Sequence, residues 1–161
     1  MSESELRRHL IDLLKSHNAH VGFEGAIRAL SPDLRGARPE GHPHSPWQLL
    51  EHLRIAQWDI VEFSRHAEHV SPAWPEGYWP TGEAPPDEKA WEESVSAFRA
   101  ELEAMCGLIA SPSTELYAKI PWGDGQTILR EALLLADHNA YHVGQLVALR
   151  RVLGDWPPQE R

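Results

Sequence analysis

Two histidines lie four residues apart in an otherwise apolar stretch near the end of the chain. The stretch is ADHNAYHVGQL, residues 136–146, and the histidines are His138 and His142. Positions i and i+4 of a helix share one face, because the helix has 3.6 residues per turn. Both imidazoles would therefore point the same way and could hold a metal ion together. In a chain with ten histidines, such a pair also arises by chance.

A third histidine, His52, occupies the same kind of inward position on another apolar stripe. If the two helices are neighbours, three imidazoles meet inside the protein. Three nitrogen ligands with remaining positions open are typical of a catalytic divalent metal site, although the spacing does not select the metal. The alternative is that one or more rings lie at the surface. Without a metal, each buried ring needs a polar partner, since an unpaired buried polar group costs about 1–3 kcal/mol.

The composition excludes several classes of protein. The 161 residues fit one domain, residues 1–161. There are 24 acidic residues, 15 Lys and Arg, and no basic block, so we expect no nucleic-acid partner. The single cysteine, Cys106, forms no intramolecular disulfide and is interpreted as a small buried apolar residue. No segment has the apolar length of a signal peptide or membrane span, so we expect a cytoplasmic protein without membrane association.

Four long segments have the periodicity of amphipathic helices. The spacing predicts helices from about Ser4 to Leu30, from Ser45 to about residue 69, from about Asp87 to Ile109, and from about Thr127 to Leu153. No segment alternates like a strand, so the sequence predicts an all-α four-helix bundle with long loops between its helices. The loop at residues 71–86 contains Trp74, Tyr78 and Trp79, which we expect to cover an apolar pocket, cap the core or meet a second subunit.

Two of these segments resemble the DinB superfamily, which includes the DinB/YfiT-like metalloenzymes. They are SPWQLLEHLRIAQWDIVEFS and ILREALLLADHNAYHVGQLVALRRVLG, and the specific features are the histidine after a Ser-Pro helix start, the GYWP loop and the His-x-x-x-His of the last helix. The resemblance covers nearly the whole chain. It implies a four-helix bundle that holds one divalent metal ion, often nickel or zinc, through His52, His138 and His142, and frequently a homodimer.

The resemblance leaves the reaction open. Some members are transferases that use low-molecular-weight thiols such as bacillithiol or mycothiol. A three-histidine site can lower the pKa of a bound water for hydrolysis, or bind a thiol as thiolate. Hydrolysis needs a general base, whereas a thiol cofactor needs polar and cationic groups around the metal. We therefore expect a hydrolase or thiol transferase acting on a small molecule. The alternative is a non-catalytic, metal-stabilised module for dimerisation or partner binding.

Four side chains are candidate catalytic groups. Asp59 lies seven residues, about two turns, after His52, and could orient a ligand, act on water, or only bond a neighbouring Arg or Trp. His20 and Glu24, with His17, indicate a polar stretch that borders the metal pocket or faces solvent. Tyr141 flanks the histidine pair and could donate a hydrogen bond into the site. Three arginines could bind an anion but are interpreted as surface charges: Arg54, Arg150 and Arg151.

Overall fold

Helices form the framework of the protein. The computed structural model describes residues 2–15 and 19–157. Within these ranges there is no strand, and the α-helices are α1 (Glu3–Lys15), α2 (Phe23–Ile27), α3 (Pro46–Arg65), α4 (Glu88–Ala110) and α5 (Ile128–Val152). Helices α1 and α3 each pack against both α4 and α5, which confirms the predicted all-α bundle. None of the helices in the described part of the chain has the length and apolarity needed to cross a membrane.

Capping residues set the starts of the three long helices. Ser45 and Gln48 form a capping box at α3, in which the Ser45 hydroxyl accepts from the Gln48 N–H at 3.2 Å. Asp87 caps α4 and Thr127 caps α5 through their side-chain oxygens, so these helices begin one residue after the predicted starts. Helix α3 ends at Arg65, four residues before the expected end.

The prediction of one helix from Ser4 to Leu30 is wrong, because the structure has two separate helices, α1 and α2, in this part of the chain. Helix α1 ends at Lys15, and residues 16–18, which include His17, lie outside the described residues. The chain is non-helical at residues 19–22, and the extended Gly22 precedes the short helix α2. The break allows Phe23 to stack on Phe98 of α4 at 3.8 Å and Ala26 to be fully buried. Burial of these side chains therefore outweighs continuation of the helix.

A buried arginine holds α2 against α5. Arg150, interpreted from the sequence as a surface charge, is 0% exposed. Its guanidinium donates to the carbonyl oxygens of Ala26 and Arg28 at 2.7 and 2.9 Å, and to Asp155 at 2.7 Å. The side chain therefore satisfies two main-chain carbonyls at the end of α2 and one carboxylate at once, while the neighbouring Arg151 is exposed.

The single cysteine lies in the core. Cys106 is 5% exposed on α4, and burial is the main reason that the pKa of its thiol is raised to about 11. A raised thiol pKa means that little thiolate is present at neutral pH. Cys106 is therefore a packing residue, as expected, and not a nucleophile.

Replacing Arg150 should cost far more stability than replacing its neighbour. Arg150→Met leaves Asp155 and two main-chain carbonyls without their buried donor, so we expect the free energy of unfolding to fall by about 3–5 kcal/mol. The matched Arg151→Met should change it by less than about 0.5 kcal/mol. Urea unfolding followed by circular dichroism measures both. Equal unfolding midpoints would contradict the buried role of Arg150.

Cys106 should resist thiol reagents in the folded protein. At pH 8, below the raised pKa, ionisation alone should slow its reaction with a disulfide reagent by about 100-fold relative to the unfolded chain. Absorbance of the released thiol in buffer and in urea gives the two rates, with Cys106→Ala as the blank. Comparable rates in both solutions would show that the thiol is accessible in the fold.

Candidate metal centre

The packing of α3 against α5 brings the three inward histidines together. The Nε2 atom of His52 lies 3.1 Å from the Nε2 atom of His142 and 3.1 Å from that of His138. All three potential ligand atoms lie within 4.8 Å of one another. His52 and His142 are buried and His138 is partly buried. The three histidines were expected to meet if their two helices were neighbours, and α3 and α5 are neighbours.

Hydrogen bonds at the Nδ1 atoms determine which nitrogen faces the centre. His52 Nδ1 lies 2.9 Å from the carbonyl oxygen of Tyr78, which only accepts, so Nδ1 carries the proton. His142 Nδ1 donates in the same way to Oε1 of Gln145 at 2.7 Å. A neutral imidazole has one N–H, so both Nε2 atoms present lone pairs. Two acceptors 3.1 Å apart repel each other unless a positive charge lies between them.

The three rings are neutral at pH 7. Burial, followed by the neighbouring histidines, lowers the pKa of His138 to about 4. Burial and then His52 lower the pKa of His142 to about 4, and burial also lowers the pKa of His52. A proton is thus not retained between the rings at neutral pH. Neutral imidazole is the form that binds metal ions.

The geometry fits one divalent ion. Nitrogens about 2.0–2.1 Å from a shared ion are separated by about 2.9 Å in octahedral and about 3.3 Å in tetrahedral coordination. The observed separations of 3.1 Å fall within this range. In addition, the Nε2 atom of His138 lies 3.1 Å from that of His52, so it is placed to be a third ligand atom. An all-imidazole donor set suits zinc, nickel, copper or iron.

An aromatic stack covers one face of His52. The Trp79 ring lies between His52, at a centroid distance of 3.9 Å, and His44, at 3.7 Å. The three rings are nearly parallel, with interplanar angles of 1° and 11°. Burial, and then Arg38, lowers the pKa of His44, so the outer ring of the stack is neutral too. The 71–86 loop therefore covers the site, one of the roles expected for it.

A cleft of about 280 Å³ opens beside the histidines. Its other lining residues come from α3, from the 71–86 loop and from α5: Ala56, Asp59, Ile60, Trp74, Tyr78 and Leu134. Among the described residues of this lining, Asp59 is the only carboxylate and there is no Lys or Arg. Trp74 is 75% exposed beside the cleft. The cleft is large enough for a small substrate with an apolar group.

Asp59 bonds two neighbouring side chains. Its Oδ1 atom accepts from Nε2 of His69 at 2.7 Å, and its Oδ2 atom accepts from the Tyr78 hydroxyl at 2.6 Å. Burial, and then the bond to Asp59, raises the pKa of Tyr78 to about 12, so its hydroxyl stays protonated and donates. Asp59 therefore bonds neighbouring side chains, with a histidine and a tyrosine as its partners where an Arg or Trp was expected.

Two other catalytic candidates lie away from the cleft. His20 is exposed, contacts the Val21 carbonyl through Nδ1 at 2.9 Å and lines a different cavity. Both carboxylate oxygens of Glu24 accept from Arg99, at 2.7 and 2.8 Å, because the short helix α2 turns this side chain towards α4. The hypothesis that their stretch borders the metal pocket is therefore wrong for the described residues 19–27, none of which lines the cleft.

The remaining candidate stays beside the centre. Tyr141 is 63% exposed and packs edge-on against His142 at 4.9 Å. Arg54 pairs with Glu51 at 2.7 Å and does not line the cleft. Sequence reasoning missed the roles of Gln145 and His69. Gln145 follows His142 by three residues, a spacing that indicates contact on a helix, whereas His69 lies beyond the end of α3 and carries no such signal.

Comparison with known proteins agrees with this arrangement. No curated protein and no solved structure matches the chain. The family model of the DinB superfamily matches residues 17–146, which contain α2 to most of α5 and all three histidines. More than half of the 161 residues are covered. The chain therefore belongs to the DinB superfamily.

Proposed function

We propose that the protein is a metal-dependent enzyme that hydrolyses a small, uncharged substrate in the cleft beside the three histidines. The main observation in support is that the Nε2 atoms of His52 and His142 lie 3.1 Å apart and each presents a lone pair to the other. His52, His138 and His142 would hold one divalent ion, with nickel or zinc favoured by the family. When bound, the ion would supply the Lewis acidity that activates water.

The lining of the cleft favours water over a thiol as the nucleophile. A low-molecular-weight thiol with carboxylates or sugar hydroxyls is best held by cationic and polar groups. Apart from the three histidines and Asp59, the described wall is formed by apolar and aromatic side chains, and its one charged residue, Asp59, is negative. A thiol cofactor would therefore find no positively charged partner in the lining. An ester or amide with an apolar or aromatic group is the substrate class that these side chains suit.

The chain's own residues supply binding and orientation. The main-chain carbonyl of Tyr78 and Oε1 of Gln145 fix the rings of His52 and His142 by accepting hydrogen bonds from their Nδ1–H groups. Trp79 covers one face of His52 and excludes water from it. Trp74 and Leu134 provide apolar surface for the substrate. These contacts hold the ligand atoms before substrate enters, as efficient catalysis requires.

Metal content should depend on the inward histidines. Tag-free wild-type protein should contain about one divalent ion per chain by plasma mass spectrometry, and His138→Ala should retain almost none, because two imidazoles bind far more weakly than three. His66→Ala, whose side chain is 56% exposed at the end of α3, is the matched control and should keep the metal. Near-zero content in wild type, even after incubation with zinc or nickel, would refute the metal centre.

Filling the cleft should abolish turnover without removing the metal. Leu134→Trp places an indole in the lining, whereas Leu133→Trp adds the same ring at a position that is 47% exposed. Against a panel of uncharged esters and amides, the first variant should lose most of its kcat/KM and the second should match wild type. Metal content should be equal in all three. Metal-loaded protein without activity on any substrate would favour the non-catalytic module, and activity only with added thiol would favour the transferase.

A further inference from the structure

We propose that Asp59 is a positioning residue for His52. Asp59 acts through Tyr78, whose main-chain carbonyl accepts a hydrogen bond from the His52 Nδ1–H group. This bond directs the Nε2 lone pair of His52 into the centre. This inference rests on the proposed metal centre, because a directed lone pair matters where an ion is bound. Asp59 itself does not contact the ion in this proposal.

Tyr78 is anchored at two separate points of α3. Its hydroxyl donates to Asp59 Oδ2 at 2.6 Å, and its main-chain carbonyl accepts from His52 Nδ1 at 2.9 Å. Asp59 and His52 are seven residues apart, which corresponds to about 10 Å along a helix. One residue of the loop therefore spans about two turns of α3. Fixing both of its ends fixes the position and the direction of the carbonyl.

A carboxylate is well suited to this anchor. Asp59 receives donors from two parts of the connection between α3 and α4, the His69 ring at 2.7 Å and the Tyr78 hydroxyl. An ionised carboxylate only accepts, so it satisfies both donors, whereas an amide would turn an NH₂ group towards one of them. The two donors flank residues 70–77, so Asp59 ties both ends of this segment to the helix. Further along the loop, Glu83 is tied down by Arg38 at 2.6 Å.

The same anchor sets the aromatic stack. Trp79 follows Tyr78 directly, and its ring lies flat on His52 with an interplanar angle of 1°. His52 is thus held at its Nδ1 edge by the loop carbonyl and at its face by the indole. If the Tyr78 hydroxyl lost its acceptor, the loop would be free to shift and Nδ1 would lose its own acceptor. The proton could then reside on Nε2, where it would block a metal bond.

Two conservative variants test whether Asp59 acts on His52 through Tyr78. Tyr78→Phe removes only the hydroxyl, and Asp59→Asn keeps the shape of the side chain. In metal-free protein labelled with ¹⁵N, long-range proton–nitrogen spectra report which nitrogen of His52 is protonated, with His52→Gln identifying the signal. We expect the Nδ1–H form in wild type and a mixture with Nε2–H in both variants. Zinc affinity, measured by competition with a chelating dye, should fall about 10- to 100-fold in each.

The double variant and two controls complete the experiment. The Asp59 carboxylate and the Tyr78 hydroxyl act through the same hydrogen bond. The double variant should therefore lose no more zinc affinity than the single variant with the larger loss. Tyr117→Phe and Asp124→Asn make the same chemical changes at exposed positions and should match wild type. Circular dichroism checks that every variant folds. If Asp59→Asn does not fold, Tyr78→Phe alone tests the inference.

Three outcomes would overturn the inference. The first is an unchanged His52 tautomer and unchanged zinc affinity in folded Tyr78→Phe. The second is a loss of turnover in Asp59→Asn with tautomer and affinity unchanged, which would make Asp59 a catalytic base. The third is a fully additive double variant. If wild type binds no zinc, the proposed function fails, while the tautomer measured in metal-free protein still decides whether Asp59 positions His52.

Discussion

The hydrogen bond from His52 Nδ1 to the Tyr78 carbonyl joins the helical bundle to the loop that covers the histidine centre. Packing of α3 on α5 fixes where the three histidine backbones lie, but an imidazole still rotates about its side-chain torsions. A carbonyl can only accept, so this bond selects both the rotation of the ring and its tautomer. The 71–86 loop is therefore part of the centre and not only its cover.

The three rings are constrained to different degrees. His142 is oriented by Gln145 of its own helix, so its tautomer depends on local geometry. His52 is oriented by a loop from a distant part of the chain. His138, one turn before His142 on α5, places its Nε2 atom 3.1 Å from that of His52. Both separations from His52 lie between the octahedral and the tetrahedral values, consistent with a donor set that does not select one metal.

The three histidines could be predicted from the sequence because helical periodicity is a local property. The same periodicity places Arg150 eight residues after His142 on the inward face, yet its residue type argued for the surface, and its partners lie in the distant 26–28 segment. The break at Gly22 was missed because the apolar spacing continues across it. The Tyr78 carbonyl could not be predicted, since a main-chain atom carries no signature of residue type and the path of a loop depends on the whole fold.

The charge of the centre connects the ligand set with the substrate. Three neutral imidazoles leave the charge of a divalent ion uncompensated, unlike ligand sets that include carboxylates or thiolates. The nearby carboxylate, on Asp59, already accepts bonds from His69 and Tyr78, so its charge is partly balanced by those donors. In the proposed enzyme, an electron-rich oxygen of the substrate would be attracted to the histidine side of the cleft. The described lining, which includes Trp74 and Leu134, has no Lys or Arg to balance a second negative group, so an apolar remainder of the substrate would fit it best.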